Sequence, residues 1–177
     1  LSPDLCSMEY RKLGPSTLQL PVITFGAWAA GGWMWGGNDR KDAVRAIRAA
    51  FDAGVTAIDT APIYGQGLSE EIVAEAVQGI PRDKVQLLTK FGFRWDLKKG
   101  EFGMHSQDNA GRPIEVYKYG AKESVIFECE QSLRRLRTDH IDLLQHHSPD
   151  ATTPISETME ALELLVQQGK VRHVDVS

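Results

Sequence analysis

Residues 55–90, VTAIDTAPIYGQGLSEEIVAEAVQGIPRDKVQLLTK, decide the fold. Val55-Thr56-Ala57-Ile58 and Val85-Gln86-Leu87-Leu88 are short, nearly continuous apolar runs. That is the pattern of strands covered on both faces. Between them Ile72, Val73, Ala76 and Val77 recur at helical spacing, opened by Ser69 and closed by Gly79-Ile80-Pro81. A strand, a helix and a second such strand imply a parallel pair joined by a right-handed crossover.

The same alternation extends both ways. Upstream, Val22-Ile23-Thr24-Phe25, ended by Gly26, reads as a strand. Ala43, Val44, Ile47, Ala50 and Phe51 then form one apolar helical stripe, with Asp39 as its cap and Gly54 as its stop. Downstream, Ile141-Asp142-Leu143-Leu144 and Val171-Arg172-His173-Val174 read as strands. Val125, Cys129, Leu133 and Leu136 make a third stripe; Met159, Leu162, Leu165 and Val166 make a fourth, between Pro154 and Gly169. Each helix is expected to bury its stripe on the sheet and turn Arg, Glu, Lys and Gln outward. Strand signals recur at roughly the 30-residue spacing of βαβ units, except between Lys90 and Ile141. There residues 95–119 are polar and without period, and read as a loop inserted over the site. Tyr10-Arg11-Lys12-Leu13-Gly14 and Thr17-Leu18-Gln19-Leu20 flank a Gly-Pro-Ser turn and read as a hairpin outside the parallel set. Residues 1–7 precede Met8, lack the basic start and apolar core of a secretory signal, and are set aside as an extension.

Composition narrows the function classes. The 177 residues are 42% hydrophobic and 25% charged, values of an ordinary globular domain that exclude disorder, collagen and a coiled coil. Twenty Lys+Arg against 24 Asp+Glu give a net charge of −4, and no basic run exceeds Arg134-Arg135, so no nucleic-acid partner is expected. No stretch reaches the roughly 20 apolar residues of a membrane span. Cys6 and Cys129 make neither a disulfide framework nor a zinc pattern, and read as reduced thiols of a cytoplasmic protein.

Ligands of parallel α/β folds bind at the carboxyl ends of strands. Three consecutive strands end in ionisable groups: Asp59 with Tyr64 beyond it, Lys90, and the pair His146-His147. Each has a plain structural reading. Asp59 could cap a turn, Lys90 could be a solvated strand end, Tyr64 a packed aromatic and His147 a hydrogen-bonded core histidine. Four such coincidences at matching positions favour one site instead. The chemistry that uses these groups together is proton donation by a phenol. A free tyrosine titrates near about 10, too high for an efficient acid at neutral pH. A neighbouring ammonium favours the phenolate, and a carboxylate holds the ammonium in place. Lys90 and Asp59 would fill those roles, while His147 would orient a substrate carbonyl by a hydrogen bond. That set suits carbonyl reduction, and since no side chain donates hydride a nicotinamide is required. His146 and His147 alternate faces on a strand, so a metal site is not expected. Gly65-Gln66-Gly67-Leu68-Ser69-Glu70 resembles a dinucleotide turn, but Glu70 replaces the third glycine and sets a carboxylate near any phosphate. It reads as a turn and helix start.

These residues also carry a resemblance. Met8-Glu9-Tyr10-Arg11-Lys12-Leu13-Gly14, Phe25-Gly26-Ala27-Trp28, Asp59-Thr60-Ala61 through Tyr64-Gly65, Thr89-Lys90, Asp142-Leu143-Leu144-Gln145 through His147-x-Pro149-Asp150, and Gly169-Lys170-Val171-Arg172 are similar, in order, to segments of the aldo-keto reductases. The resemblance implies a (β/α)8 TIM barrel and NADP(H)-dependent reduction of aldehydes or ketones. It implies Asp59, Tyr64, Lys90 and His147 as the catalytic tetrad, with Tyr64 as the acid. It also implies cofactor contacts from Ala27, Trp28, Asp59 and Ser177, with Trp33, Trp35 and residues 95–119 on the substrate side. Asp175 departs from the family's usual glycine and must be solvated or paired; Ser148 stands where an aromatic or arginine often follows the histidine. An eight-stranded barrel generally needs at least about 200 residues. Residues 8–177 would hold the hairpin and about the first five strands and four helices, as part of a longer polypeptide. Two other readings remain at this point: a non-catalytic cofactor-binding or regulatory module, and an open five-stranded nucleotide-binding domain.

Overall fold

The apolar runs pair as a parallel sheet, and the helical stripes lie on one of its faces. The computed structural model describes residues 8–37 and 39–177. The extension expected at residues 1–7, with Cys6, lies outside the described residues. An antiparallel hairpin, β1 (Tyr10–Lys12) and β2 (Gln19–Pro21), comes first. The parallel strands are β3 (Phe25–Gly26), β4 (Ala57–Asp59), β5 (Gln86–Phe91), β9 (Ile141–His146) and β10 (Val171–Val176). Between β5 and β9 stand β6 (Phe93–Arg94), β7 (Glu101–Gln107) and β8 (Pro113–Lys118), an antiparallel three-stranded sheet. The helices are α1 (Arg40–Asp52), α2 (Leu68–Ala76), α3 (Lys122–Leu136) and α4 (Ile155–Gln167).

Strand order settles the class. The parallel strands lie in the order β3-β4-β5-β9-β10, so each neighbour in space is the next parallel strand in the chain. A doubly wound sheet reverses direction at a switch point. This one does not, which overturns the open nucleotide-binding domain. The helices confirm the winding. Ile47, Ile72, Val73, Val125, Cys129, Leu162 and Leu165 share a single core with Ile58, Leu87, Phe91, Ile141, Leu144 and Val171. All four helices therefore cover one face, as in a barrel wall. On the other face the hairpin places Leu13, Leu18 and Leu20 against Ala57, Leu88 and Leu143, closing the end where the strands begin. No helix among the described residues is long and apolar enough to cross a membrane.

Several local expectations change. Val22 and Ile23 are exposed, at 47% and 58%, and the first parallel strand is only Phe25–Gly26. The Val22 amide donates instead to Glu9 O, prolonging the hairpin edge (2.9 Å). Residues 95–119 are not a loop: they contain most of the three-stranded sheet. A bulge between Phe102 and Met104 breaks the period-two pattern, and only one face is covered, so the alternation is hard to see in the sequence. The turn is made by Asp108, whose Oδ1 accepts from the amides of Ala110 and Arg112 (both 2.9 Å).

Helix α1 begins as expected, Asp39 Oδ1 accepting from the Asp42 amide (3.0 Å). Helix α2 begins at Leu68 behind a left-handed Gly67, so Ser69 lies inside it and buried rather than at its cap. On α4 the buried stripe is Thr158, Ala161, Leu162 and Leu165, while Met159 is half exposed. Nor do all charges face outward. Glu70 and Glu128 are buried on the sheet side of α2 and α3.

Candidate active site

Lys90 follows the last interior leucine of β5 and is 5% exposed. Its ammonium donates to Asp59 Oδ1 (2.8 Å), Asp59 Oδ2 (2.7 Å) and the Thr60 carbonyl (3.0 Å). All three donors are thus satisfied by β4 and the residue beyond it, which fixes the direction of the side chain. Asp59, at the end of β4, stands on the inner face between Ala57 below and the turn above.

Tyr64 is carried by the turn between β4 and α2. Its amide donates to Ala61 O (3.1 Å), and Gly67 N donates to Pro62 O (2.7 Å). Gly65, Gln66 and Gly67 all have positive φ (71°, 52° and 97°), a run that the two glycines make possible. The turn lays the Tyr64 ring over Lys90, with Nζ 5.1 Å from the ring centroid. Trp28 stacks on Tyr64 at 5.6 Å and 19°, and His147 meets it edge-on at 5.9 Å and 87°. Phe93 packs against the same imidazole (4.8 Å). The four sequence-predicted catalytic residues, from three strand ends and one turn, are therefore brought together.

His146 and His147 diverge as alternation requires. His146 is buried outside the sheet, stacked parallel on Phe91 at 4.8 Å. His147 faces inward. Burial first, then the charge of Lys90 and the neighbouring His146, push its imidazole down to about 4. It is neutral at physiological pH and retains one ring N–H to donate.

The residues expected to touch a cofactor each contact members of this set. Ala27 is fully buried and its amide donates to Asp59 O (2.8 Å), so its place is taken by backbone pairing. Trp28 is partly exposed above Tyr64. Ser177, just past β10, donates from N to His146 O (3.1 Å) and from Oγ to His147 O (3.2 Å). Asp175 is paired in register with Gln145 and is exposed. Gln145 Oε1 is buried without a partner among the described residues.

The three-stranded sheet packs on this rim. Val116, with Met104 and Ile114, lies against Trp33, Ala61, Ile63 and Tyr64. Trp33 Nε1 donates to Ser106 Oγ (3.2 Å) and Gln107 O (3.0 Å). A groove of about 650 Å³ runs beside Trp33 between residues 32–37 and the β7–β8 turn, past His105, Gln107 and Asn109. Trp35 lies exposed, edge-on to Trp28 at 6.0 Å.

Sequence reasoning misplaces two residues beside the site. Glu70 points at no phosphate position. It is fully buried, accepting from Thr89 Oγ1 (2.7 Å) and Arg135 Nε (2.5 Å), and so ties α2 to β5 and α3. Ser69 is equally buried and bonded to the ends of β3 and β4. The signal was present for Ser69, since it falls three, four and seven residues before Ile72, Val73 and Ala76, on the buried stripe.

The family model described as "Aldo/keto reductase family" matches residues 22–177. Aldo-keto reductase YhdN of Bacillus subtilis (strain 168) is 41% identical over 171 residues, 96% of this chain and 47% of that protein. The NADH-specific methylglyoxal reductase of Escherichia coli (strain K12) is 36% identical over 172 residues, 94% of this chain and 51% of that protein. Among solved structures, the aldo-keto reductase AKR11C1 from Bacillus halodurans (holo form) superimposes with a TM-score of 0.79 at 33% identity, covering 96% of this chain and 50% of that one. The glycerol dehydrogenase AKR11B4 from Gluconobacter oxydans gives 0.78 at 40%, covering 94% and 47%. The chain thus spans about half the length of the curated relatives it matches.

Proposed function

Because the chain belongs to the aldo/keto reductase family, we propose that the polypeptide carrying it is an oxidoreductase that reduces aldehydes or ketones to alcohols, with NADP(H) as cofactor and Tyr64 as general acid. One observation supports this above the others: the phenol of Tyr64 lies over an ammonium whose donors are all held by Asp59 and Thr60. A nicotinamide cofactor, when bound, supplies the hydride that no side chain can provide. Trp28, Asp59 and Ser177 would hold it, while Ala27, fully buried with its amide and carbonyl both bonded, would support Trp28 from behind. The unpartnered Gln145 acceptor on the same inner face suits a polar ligand there.

His147 donates its ring N–H to the carbonyl oxygen and turns it toward Tyr64. As negative charge grows on that oxygen, Tyr64 releases its proton to it. The Lys90 ammonium stabilises the phenolate left behind, and Asp59 keeps that ammonium pointed at the ring. Trp28 and Trp33 wall the space, and the groove past His105 takes the rest of the substrate. This reading assigns residues 8–177 to the first part of an eight-stranded barrel. A cytoplasmic location belongs to the same proposal, supported by Cys129, a free thiol buried on the sheet side of α3.

Replacing Tyr64 with Phe in the complete polypeptide should abolish carbonyl-dependent NADPH oxidation while leaving NADPH affinity within about twofold. Turnover equal to wild type would remove Tyr64 from its role. Comparing NADPH with NADH in the same assay tests the cofactor choice.

A further inference from the structure

We propose that Ser69 is a positioning residue for carbonyl reduction, setting Tyr64 and Trp28 in place relative to Lys90; this rests on the reductase reading above. A serine that merely opens a helix spends its hydroxyl on the amides of its own first turn. Ser69 does not. It sits inside α2, fully buried, and its Oγ donates across the fold to Ala27 O (2.7 Å), the carbonyl just before Trp28. The same Oγ accepts from Thr60 Oγ1 (2.8 Å). Its backbone amide donates to Tyr64 O (3.1 Å).

Thr60 completes the connection, because its carbonyl is the third acceptor of the Lys90 ammonium (3.0 Å). One continuous line of bonds thus runs from Lys90 through Thr60 to Ser69, where it divides toward Tyr64 and toward Trp28. Thr60 and Ser69 are both sealed from solvent, so no water can replace a lost member. The packing allows little slack. A Cβ at Gly31 would overlap the Tyr64 carbonyl and lie 3.2 Å from Ser69 Cβ, so the segment after Trp28 presses on the same junction. Tyr64 and Trp28 are stacked, yet they come from different strand–helix connections. The Ser69 junction joins those connections directly behind the rings.

The test uses Ser69→Ala, Thr60→Val and the double variant of the complete polypeptide. Ser69→Ala should lower kcat about tenfold, with the KM for a carbonyl substrate and the Kd for NADPH within about twofold of wild type. Thr60→Val should lower kcat by less, and the double variant should be no worse than Ser69→Ala alone, since both break one line of bonds. The near-ultraviolet circular dichroism of Ser69→Ala should lose part of its aromatic signal with the far-ultraviolet spectrum unchanged. Wild-type kcat in Ser69→Ala would overturn the proposal, whatever the aromatic spectrum. If that variant does not fold, Thr60→Val decides, and an unchanged kcat there overturns it. If the wild type itself turns over no carbonyl, the reductase reading fails, and the aromatic spectrum alone decides the role of Ser69 as a clamp.

Discussion

His147 shows how one residue's surroundings set its chemistry. An imidazole ordinarily titrates near 6.5, but burial, Lys90 and His146 bring this one down to about 4. The unfolded chain therefore binds a proton below about 6.5 that the folded chain refuses until about 4. This contribution to stability is complete above 6.5 and is lost progressively as pH falls through that window. For the proposed reaction the same shift means that a neutral ring donates to the carbonyl throughout the working range. We expect kcat/KM for carbonyl reduction to show no inflection near 6.5 in a profile from about pH 5 to 8. A step at that point, lost in His147→Gln, would mean that His147 works as the imidazolium.

Glu128 plays the opposite part at the scale of an element. It lies on the sheet side of α3, accepting from the Gly92 amide (2.9 Å) and the Ser124 hydroxyl (3.0 Å), and so ties the helix to the β5–β6 junction just beyond Lys90. Desolvation pushes its carboxyl up to about 8, against the opposing pull of its hydrogen bonds and of Arg94. Between its ordinary 4.5 and about 8 the folded chain keeps a proton that the unfolded chain has released, so stability falls as pH rises. His147 opposes this trend only below 6.5. Urea midpoints of the wild type should therefore decline from about pH 6.5 to 8, and Glu128→Gln, whose Oε1 can still accept from the Gly92 amide while its Nε2 donates to Ser124 Oγ, should remove that decline. An unchanged slope would mean that Glu128 is ionised when folded.

For the molecule as a whole, the decisive relation is between the barrel wall and the antiparallel sheet above it. Val116 is fully buried and is the centre of that contact, touching the cluster of Trp33, Ala61, Ile63 and Tyr64. Val116→Ala should cost about 1–3 kcal/mol in urea unfolding, through a cavity that the two sheets cannot collapse to fill. A loss well under this range would indicate that the sheet is only loosely seated on the rim.

The parallel strands and the four helices were legible in the chain because burial on a sheet imposes a period on apolar residues. The candidate site was legible because ionisable groups appear where those runs stop: Asp59, Lys90 and His147, with Tyr64 in the turn after β4. Residues 95–119 were not, since a bulge at Phe102 and Met104 and a single covered face dilute the alternation that marks a strand. Nor were the partners of Ser69, Glu70 and Glu128. A polar side chain in an apolar stripe is visible in one dimension, but the strand ends that satisfy it come from distant segments. Only their juxtaposition in three dimensions determines whether such a group is left wanting, bonded, or made to hold a neighbour in place.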